Sequence, residues 1–374
     1  MNQYFATVAR GLEEVAAQEL TNLGAKDVEI TFTGVSFTGD KSLLYRVNLW
    51  SRIIYRVLMP IQTIKCSNRE ELYQQVKQIN WSKYLTTEQT FAVNSTGGNS
   101  NLNHTHFNAL QIKNAIIDQQ REKTNQRSSI DTRNPDLLLN AHIYQDQCIL
   151  SLDSSGDSLH RRGYRPAMGL APLKETLAAS LLDLAQWNSN IPFFDPLCGS
   201  GTLPLEAALK ALNIAPGLFR DSFAFENWSD FDASLWQKLR TEALENQVSE
   251  SPTSIVGSED DDQILQQARY NARLCGVEKQ IKLLKQNLAE VYPPSAEGII
   301  ITNPPYGKRI GDVSALTSLY QLLGDVLKQR FRGWRAYILT GNSQLAKKIR
   351  LKPSRRFAVY NGAIPCSLLE FEIF

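Results

Sequence analysis

The chain has 374 residues, 43% hydrophobic and 21% charged, an ordinary globular balance that excludes collagen-like and disordered polymers and leaves room for two or three domains. Its 40 Lys and Arg against 38 Asp and Glu leave a net charge of +2, too small for a chain-wide phosphate-binding surface, so any nucleic-acid contact must be local. The opening MNQYFATVAR lacks a basic-then-apolar leader, the longest apolar runs are strand-sized, and five cysteines stand singly without a C-x-x-C pair; the expectation is a cytoplasmic protein with no membrane span, no metal requirement and buried, reduced thiols.

In chain order, short β-rich runs at 3–8, 27–33 and 34–39 alternate with a helix over 13–23 whose Val15, Leu20 and Leu23 share a face, so residues to about 65 form a small α+β unit. A second unit follows, with a helix near 69–79, a strand at 90–94, a polar loop over 95–105, a helix over 107–121 and a strand pair over 137–153 turning at Gln145-Asp146-Gln147. His104 and His106 form an H-x-H, but with four histidines in all and no cysteine or carboxylate at ligand spacing it makes a poor metal site. From about residue 160 apolar strand-like runs alternate with helical segments, the pattern of a parallel sheet covered on both faces. Its strands are expected at 192–195, 254–258, 281–286, 298–302, 335–340, 356–360 and 367–373. Between the first two lies a long segment, 215–247, carrying Phe223, Phe225, Trp228 and Trp236. Packing explains these aromatics most simply; the sharper reading has the segment emerge near the cofactor edge and border a base pocket. Lys347, Lys348, Arg350, Lys352, Arg355 and Arg356 form the one acid-free basic run, either a solvated face or a phosphate contact.

Three motifs carry chemistry. The first runs Asp195-Pro196-Leu197-Cys198-Gly199-Ser200-Gly201-Thr202 between a strand and an Ala/Leu-rich helix, where glycines permit a tight turn and close backbone approach to a negative group. A dinucleotide pyrophosphate or the smaller methionine carboxylate of S-adenosylmethionine would suit it. Cys198 reads as a small packing residue rather than a nucleophile. The second, Val256-Gly257-Ser258-Glu259-Asp260-Asp261, ends a strand; Glu259 can accept both ribose hydroxyls of an adenosine, while Asp260 or Asp261 favours the next helix N-terminus. The third is Asn303-Pro304-Pro305-Tyr306, directly after the strand Ile299-Ile300-Ile301-Thr302. An exocyclic amino group of a nucleobase is a poor nucleophile because its lone pair is delocalised into the ring. Two acceptors on its N–H bonds, the Asn303 side-chain oxygen and the Pro304 carbonyl, would localise that pair and aim it at an electrophilic methyl. The prolines stiffen the loop, and Tyr306 can stack on an extruded base.

The order D-P-x-C-G-S-G-T, G-x-E-x-D, N-P-P-Y-G resembles the amino-methylating class I methyltransferases. Ser158-Leu159-His160-Arg161-Arg162-Gly163-Tyr164-Arg165, then Ala171-Pro172-Leu173-Lys174-Glu175-Thr176-Leu177-Ala178, and also Lys113-Asn114-Ala115-Ile116-Ile117-Asp118, are similar to the large-subunit (23S) ribosomal RNA guanine-N2 methyltransferase family. The resemblance implies an α/β fold with a Rossmann-like methyltransferase domain at 158–374 on a mixed seven-stranded sheet, preceded by a ferredoxin-like segment at 1–65 and an RNA-binding THUMP domain at 66–157. It implies S-adenosyl-L-methionine as cofactor, held by Asp195, Pro196, Cys198, Gly199, Gly201, Thr202, Glu259, Asp260, Asn287 and Leu288. Asn287 departs from the aspartate usual there but keeps a carbonyl for the adenine amino group. Catalysis would fall to Asn303, Pro304, Pro305 and Tyr306. RNA contact would fall to Arg161, Arg162, Tyr164, Arg165, Lys308 and Arg309, although arginines in such a linker can equally tie two domains together. Some relatives carry a second methyltransferase domain; with the chain ending at Phe374, none is expected here. The expected reaction is methyl transfer to guanine N2 in RNA, most naturally rRNA or a large-subunit assembly intermediate. The competing readings are a tRNA guanine-N2, a DNA adenine-N6 or a protein-glutamine methyltransferase, and an inactive assembly factor.

Overall fold

A computed structural model describes residues 1–164, 173–307 and 313–374. The first unit comprises β1 (Asn2–Thr7), α1 (Glu13–Asn22), β2 (Lys26–Thr31), β3 (Gly34–Gly39), α2 (Lys41–Trp50) and β4 (Arg56–Lys65). The second comprises α3 (Arg69–Gln78), β5 (Thr90–Gly98), α4 (Thr105–Thr124), β6 (Ser129–Ile130), β7 (Leu137–Tyr144) and β8 (Gln147–Asp153). Helix α2, which the sequence reading had not singled out, starts where the Asp40 carboxylate accepts the Leu43 N–H at 2.8 Å; Asn68 caps α3 the same way on Glu71. Residues 95–98, expected in a polar loop, instead continue β5, because their backbone pairs in parallel with Ala141–Tyr144 of β7.

The two units share one eight-stranded sheet, ordered β2-β3-β1-β4-β8-β7-β5-β6. The ten-residue β4 makes this possible: its first residues pair with β1, and its remainder pairs with β8.

The third unit comprises α5 (Glu175–Leu184), β9 (Phe193–Asp195), α6 (Thr202–Ala211), α7 (Ala233–Glu245), β10 (Ile255–Glu259), α8 (Asp262–Leu274), β11 (Ile281–Lys285), β12 (Ile299–Thr302), α9 (Val313–Arg330), β13 (Arg335–Thr340), α10 (Ser343–Lys348), β14 (Arg355–Asn361) and β15 (Ile364–Glu372). Its sheet runs β11-β10-β9-β12-β13-β15-β14; the first five strands are parallel, and β15 is antiparallel to both neighbours. This is the mixed seven-stranded sheet expected. Alternate side chains divide between two cores, as the strand period requires. Phe193, Ile299, Ile301, Tyr337 and Leu339 join a core continuous with the first two units, whereas Phe194, Ile300, Ala336 and Ile338 pack beneath α9 and α10. Chain order reverses between β9 and β12, so their carboxyl ends flank a switch-point crevice, where open α/β sheets bind ligands.

All five cysteines are free and buried. Among the described residues no helix is long and apolar enough to cross a membrane.

Candidate active site

The glycine motif lies at the carboxyl end of β9 and opens α6. Gly201 takes φ +87° at the helix N-cap and Gly199 φ +55°, the left-handed region that disfavours a side chain. A Cβ added at Gly199 would meet nothing within 4 Å, so this face of the loop is open, and backbone conformation, not packing, selects glycine there. On its other side the loop is pinned to β10: Cys198 N–H donates to the Ser258 carbonyl at 2.9 Å, and the Ser258 hydroxyl donates to the Pro196 carbonyl at 3.1 Å. The Cys198 side chain fills the space that Gly257 leaves; a Cβ there would come within 3.1 Å of its Cβ and Sγ. Burial, with the nearby Asp195 and Glu259, pushes the Cys198 thiol well above its ordinary range, which suits packing and not nucleophilic attack.

Glu259 is organised rather than merely nearby. One carboxylate oxygen accepts Gly199 N–H at 3.0 Å, and the other accepts Asp260 N–H at 3.0 Å and Asp261 N–H at 3.1 Å. The glycine loop and the end of β10 are thereby locked together. Asp261 caps α8 through Gln263 and Ile264, as expected for one of these acids. Asp260 instead accepts the Asn287 side-chain amide at 2.7 Å, and the Asn287 carbonyl accepts Ala289 N–H at 2.9 Å. Asn287 therefore shapes the turn leading to buried Leu288, and its carbonyl brings only its second lone pair to a ligand.

Asp195 joins this region to the third motif. Its buried carboxyl accepts the Thr302 hydroxyl at 2.7 Å and Leu197 N–H at 3.1 Å. Burial, opposed by those two hydrogen bonds and reinforced by Glu259, raises its pKa from 3.8 to about 7. The residue after Thr302 is Asn303, so the glycine motif and the N-P-P-Y motif are linked by one hydrogen bond across the switch point.

Asn303 is half-buried, Pro304 buried and Tyr306 half-buried. The Asn303 side-chain oxygen is shielded from solvent and has no hydrogen-bond partner among the described residues. Tyr306 is the anchored member of the loop: its hydroxyl accepts from the Asn361 amide at 2.9 Å and lies 3.6 Å from Cys366 Sγ, and its ring edge lies so near Gly341 that a Cβ there would approach to 2.9 Å. Burial pushes its hydroxyl pKa upward. Sequence reasoning missed Asn361 and Cys366, which no local pattern marks; they reach Tyr306 because β14 and β15 turn back at the carboxyl edge.

The arginine-rich linker requires correction. Arg162 and Tyr164 are buried, and neither faces a substrate. The Arg162 guanidinium lies 3.4 Å from buried Glu206 on α6 and donates to the Leu159 carbonyl at 2.8 Å and the Arg52 carbonyl at 2.5 Å; the Tyr164 hydroxyl donates to Glu206 at 2.7 Å. Arg52 donates to the Leu209 and Ile214 carbonyls at the other end of α6, and Glu19 accepts the Ser51 hydroxyl and Arg52 N–H. The pair thus fastens the first unit to the helix that follows the glycine loop. Among the described residues expected to contact RNA, Arg161 alone is exposed, with a 3.5 Å pair to equally exposed Asp157. Arg165, Lys308 and Arg309, with Ala171 and Pro172 of the family motif, lie outside the described residues.

The aromatic segment also departs from the sharper expectation. It leaves the carboxyl end of α6, on the sheet edge opposite the site, and its rings pack on the first unit: Tyr45 stacks on Phe225 at 4.4 Å, while Trp236 meets Phe223 and Phe225 edge-on. The basic run is exposed, but it ends at the start of β14, away from the edge where Asn361 meets Tyr306. His104 sits at the N-cap of α4 and packs on Phe107 at 4.6 Å.

Residues 162–370 match the RMKL-like methyltransferase domain, residues 66–153 the THUMP domain and residues 3–58 the RlmL ferredoxin-like domain. A Synechocystis protein provisionally named as an RNA methyltransferase is 55% identical over 99% of this chain and 97% of its own length. The chain belongs to the RMKL-like methyltransferase family. The ribosomal RNA large subunit methyltransferase K/L of Syntrophotalea carbinolica is 42% identical over 99% of the chain, which spans about half, 53%, of that longer relative. Among solved structures, a provisionally assigned methyltransferase crystallised with SAH superposes with a TM-score of 0.90 at 32% identity, covering 100% of this chain and 98% of the other.

Proposed function

We propose that the protein transfers a methyl group from S-adenosylmethionine to the exocyclic N2 amino group of a guanine in RNA, with large-subunit rRNA as the substrate. The observation that carries this reading is the buried, unpartnered carbonyl oxygen of Asn303 in a proline-stiffened loop at the switch point. Leaving a buried acceptor unsatisfied costs about 1–3 kcal/mol, a cost native folds accept where a ligand supplies the donor. An amino group fits: one N–H meets Asn303 and the other the Pro304 carbonyl, which turns the nitrogen lone pair out of the ring conjugation.

The residues present suit the cofactor. Gly199 leaves an open backbone face, the start of α6 favours a carboxylate, and the lone pairs of Glu259 beyond its three backbone hydrogen bonds suit ribose hydroxyls. When bound, the cofactor supplies an electrophilic methyl group on a sulfonium. The chain's share is to orient the amino nitrogen, exclude water behind Pro304 and hold the Tyr306 ring for an extruded base. The THUMP match and the rRNA methyltransferase relatives support RNA over DNA, and the resemblance of the motifs to guanine-N2 methyltransferases supports guanine.

The test is tritium transfer from labelled S-adenosylmethionine to undermethylated rRNA, tRNA and duplex DNA, followed by nucleoside analysis. N2-methylguanosine from rRNA is the expected product. Label in tRNA alone, or in DNA adenine, moves the substrate, and cofactor binding without transfer to any acceptor supports an assembly factor.

A further inference from the structure

The first unit reaches edge strand β14 of the catalytic sheet at the β1–α1 loop. The loop between β1 and α1 lies so close to edge strand β14 that a Cβ at Gly11 would come within 2.2 Å of the Ala358 carbonyl oxygen. Beside it, the Arg10 guanidinium sits 5.5 Å from the ring centroid of Phe32, at the β2–β3 turn, and 5.4 Å from that of Tyr360, near the end of β14. Arg10 is exposed and has no ion pair among the described residues, and Phe32 is 79% exposed. Tyr360 precedes Asn361, whose amide holds the Tyr306 hydroxyl. The Phe32–Arg10–Tyr360 contacts therefore lie one residue along β14 from Asn361, the residue that anchors the catalytic loop.

We infer that Phe32, Arg10 and Tyr360 form a stacking platform for an unpaired RNA nucleotide next to the target base. This rests on the RNA reading above. An extruded guanine leaves its neighbours unstacked, and single-stranded RNA is recognised by bases stacking on aromatic rings and guanidinium planes, with cations near the phosphates. The platform offers all three: an open ring, a flat guanidinium held between rings, and an uncompensated charge. An apolar protein partner would bury that charge without a counter-ion, which makes RNA the better occupant. Tyr360 is one strand residue removed from Asn361, which holds Tyr306, so the platform takes a flanking nucleotide and leaves the target to the Asn303 loop.

The test uses the full chain and an rRNA fragment containing the mapped target. Phe32→Ala, at an exposed turn, should raise KM for RNA about tenfold, the scale of one lost base stack, while kcat, SAH affinity and Tm change little. Phe32→Trp should restore KM. An abasic residue beside the target should weaken wild type by a similar factor and have little further effect on Phe32→Ala, since both remove the same contact. Active wild type with an unchanged Phe32→Ala KM, or fully additive losses, overturns the platform and leaves the proposed function standing. Wild type that labels no RNA overturns both.

Discussion

Two polar clusters of this molecule are both candidate sites in sequence and differ in kind. The linker cluster, Arg162 and Tyr164 with Glu206 and Arg52, is sealed between two units: Arg162 and Tyr164 end on Glu206 and on backbone carbonyls of the same chain, and the Glu206 Oε2 and Arg52 Nη1 atoms left without a hydrogen bond are shut away from any ligand. The loop cluster, Asn303 to Tyr306, is tied down at Tyr306 and leaves the Asn303 oxygen without a partner. The lesson is that residue type does not separate a joint from a site. What separates them is where the fold puts them: the linker groups are enclosed between packed units, whereas Asn303 stands half-buried at the switch-point crevice.

Perturbing each cluster should have opposite signatures. Asn303→Ala should reduce methyl transfer by about 10²- to 10³-fold, the scale for loss of one preorganised polar group, with SAH affinity and Tm near wild type. A Tm loss of many degrees would place Asn303 among structural residues. Arg162→Ala should do the reverse, destabilising the chain by about 3–5 kcal/mol in denaturant unfolding because it leaves the Glu206 carboxylate buried without its cation. RNA affinity of the folded fraction should hold; a selective loss of RNA binding with unchanged stability would restore the linker as an RNA contact.

Glu259→Gln tests the boundary between the two kinds. It keeps an acceptor for Gly199 N–H but removes the charge, so SAH affinity measured by calorimetry should fall about tenfold with a smaller loss of stability. The smallest effect concerns pH. Asp195 has its pKa raised from 3.8 to about 7 by burial, so between those values the folded chain holds a proton that the unfolded chain has lost. Its stabilising contribution is complete below pH 3.8 and lost as pH rises through about 7. Asp195→Asn should flatten that part of the stability profile. Binding of the cationic cofactor should also favour the ionised carboxyl, so SAH and S-adenosylmethionine should differ in proton release near neutral pH, and the substitution should abolish the difference.

Much of the catalytic unit was legible because its information is local. The parallel strands read as apolar runs, Gly199 and Gly201 mark a left-handed turn, and N-P-P-Y follows its strand directly. Residues 95–98 were misread because a polar Ser-Thr-Gly-Gly stretch carries no hydrophobic period; pairing with β7 decided their state. The 215–247 aromatics carried a correct packing signal, but their direction depended on which end of α6 they leave.

The sequence by itself determined the order of units, the strand–helix alternation and the three motifs, since propensity, glycine conformation and proline rigidity act within a few residues. Only the tertiary structure decided which polar groups find partners. Arg162 meets Glu206 44 residues away, Thr302 meets Asp195 across 107, and Arg10 meets Tyr360 across the length of the chain. Such pairings depend on how sheets are ordered and how their edges meet, which no local pattern encodes, and that arrangement is what distinguishes a buried joint from an open site.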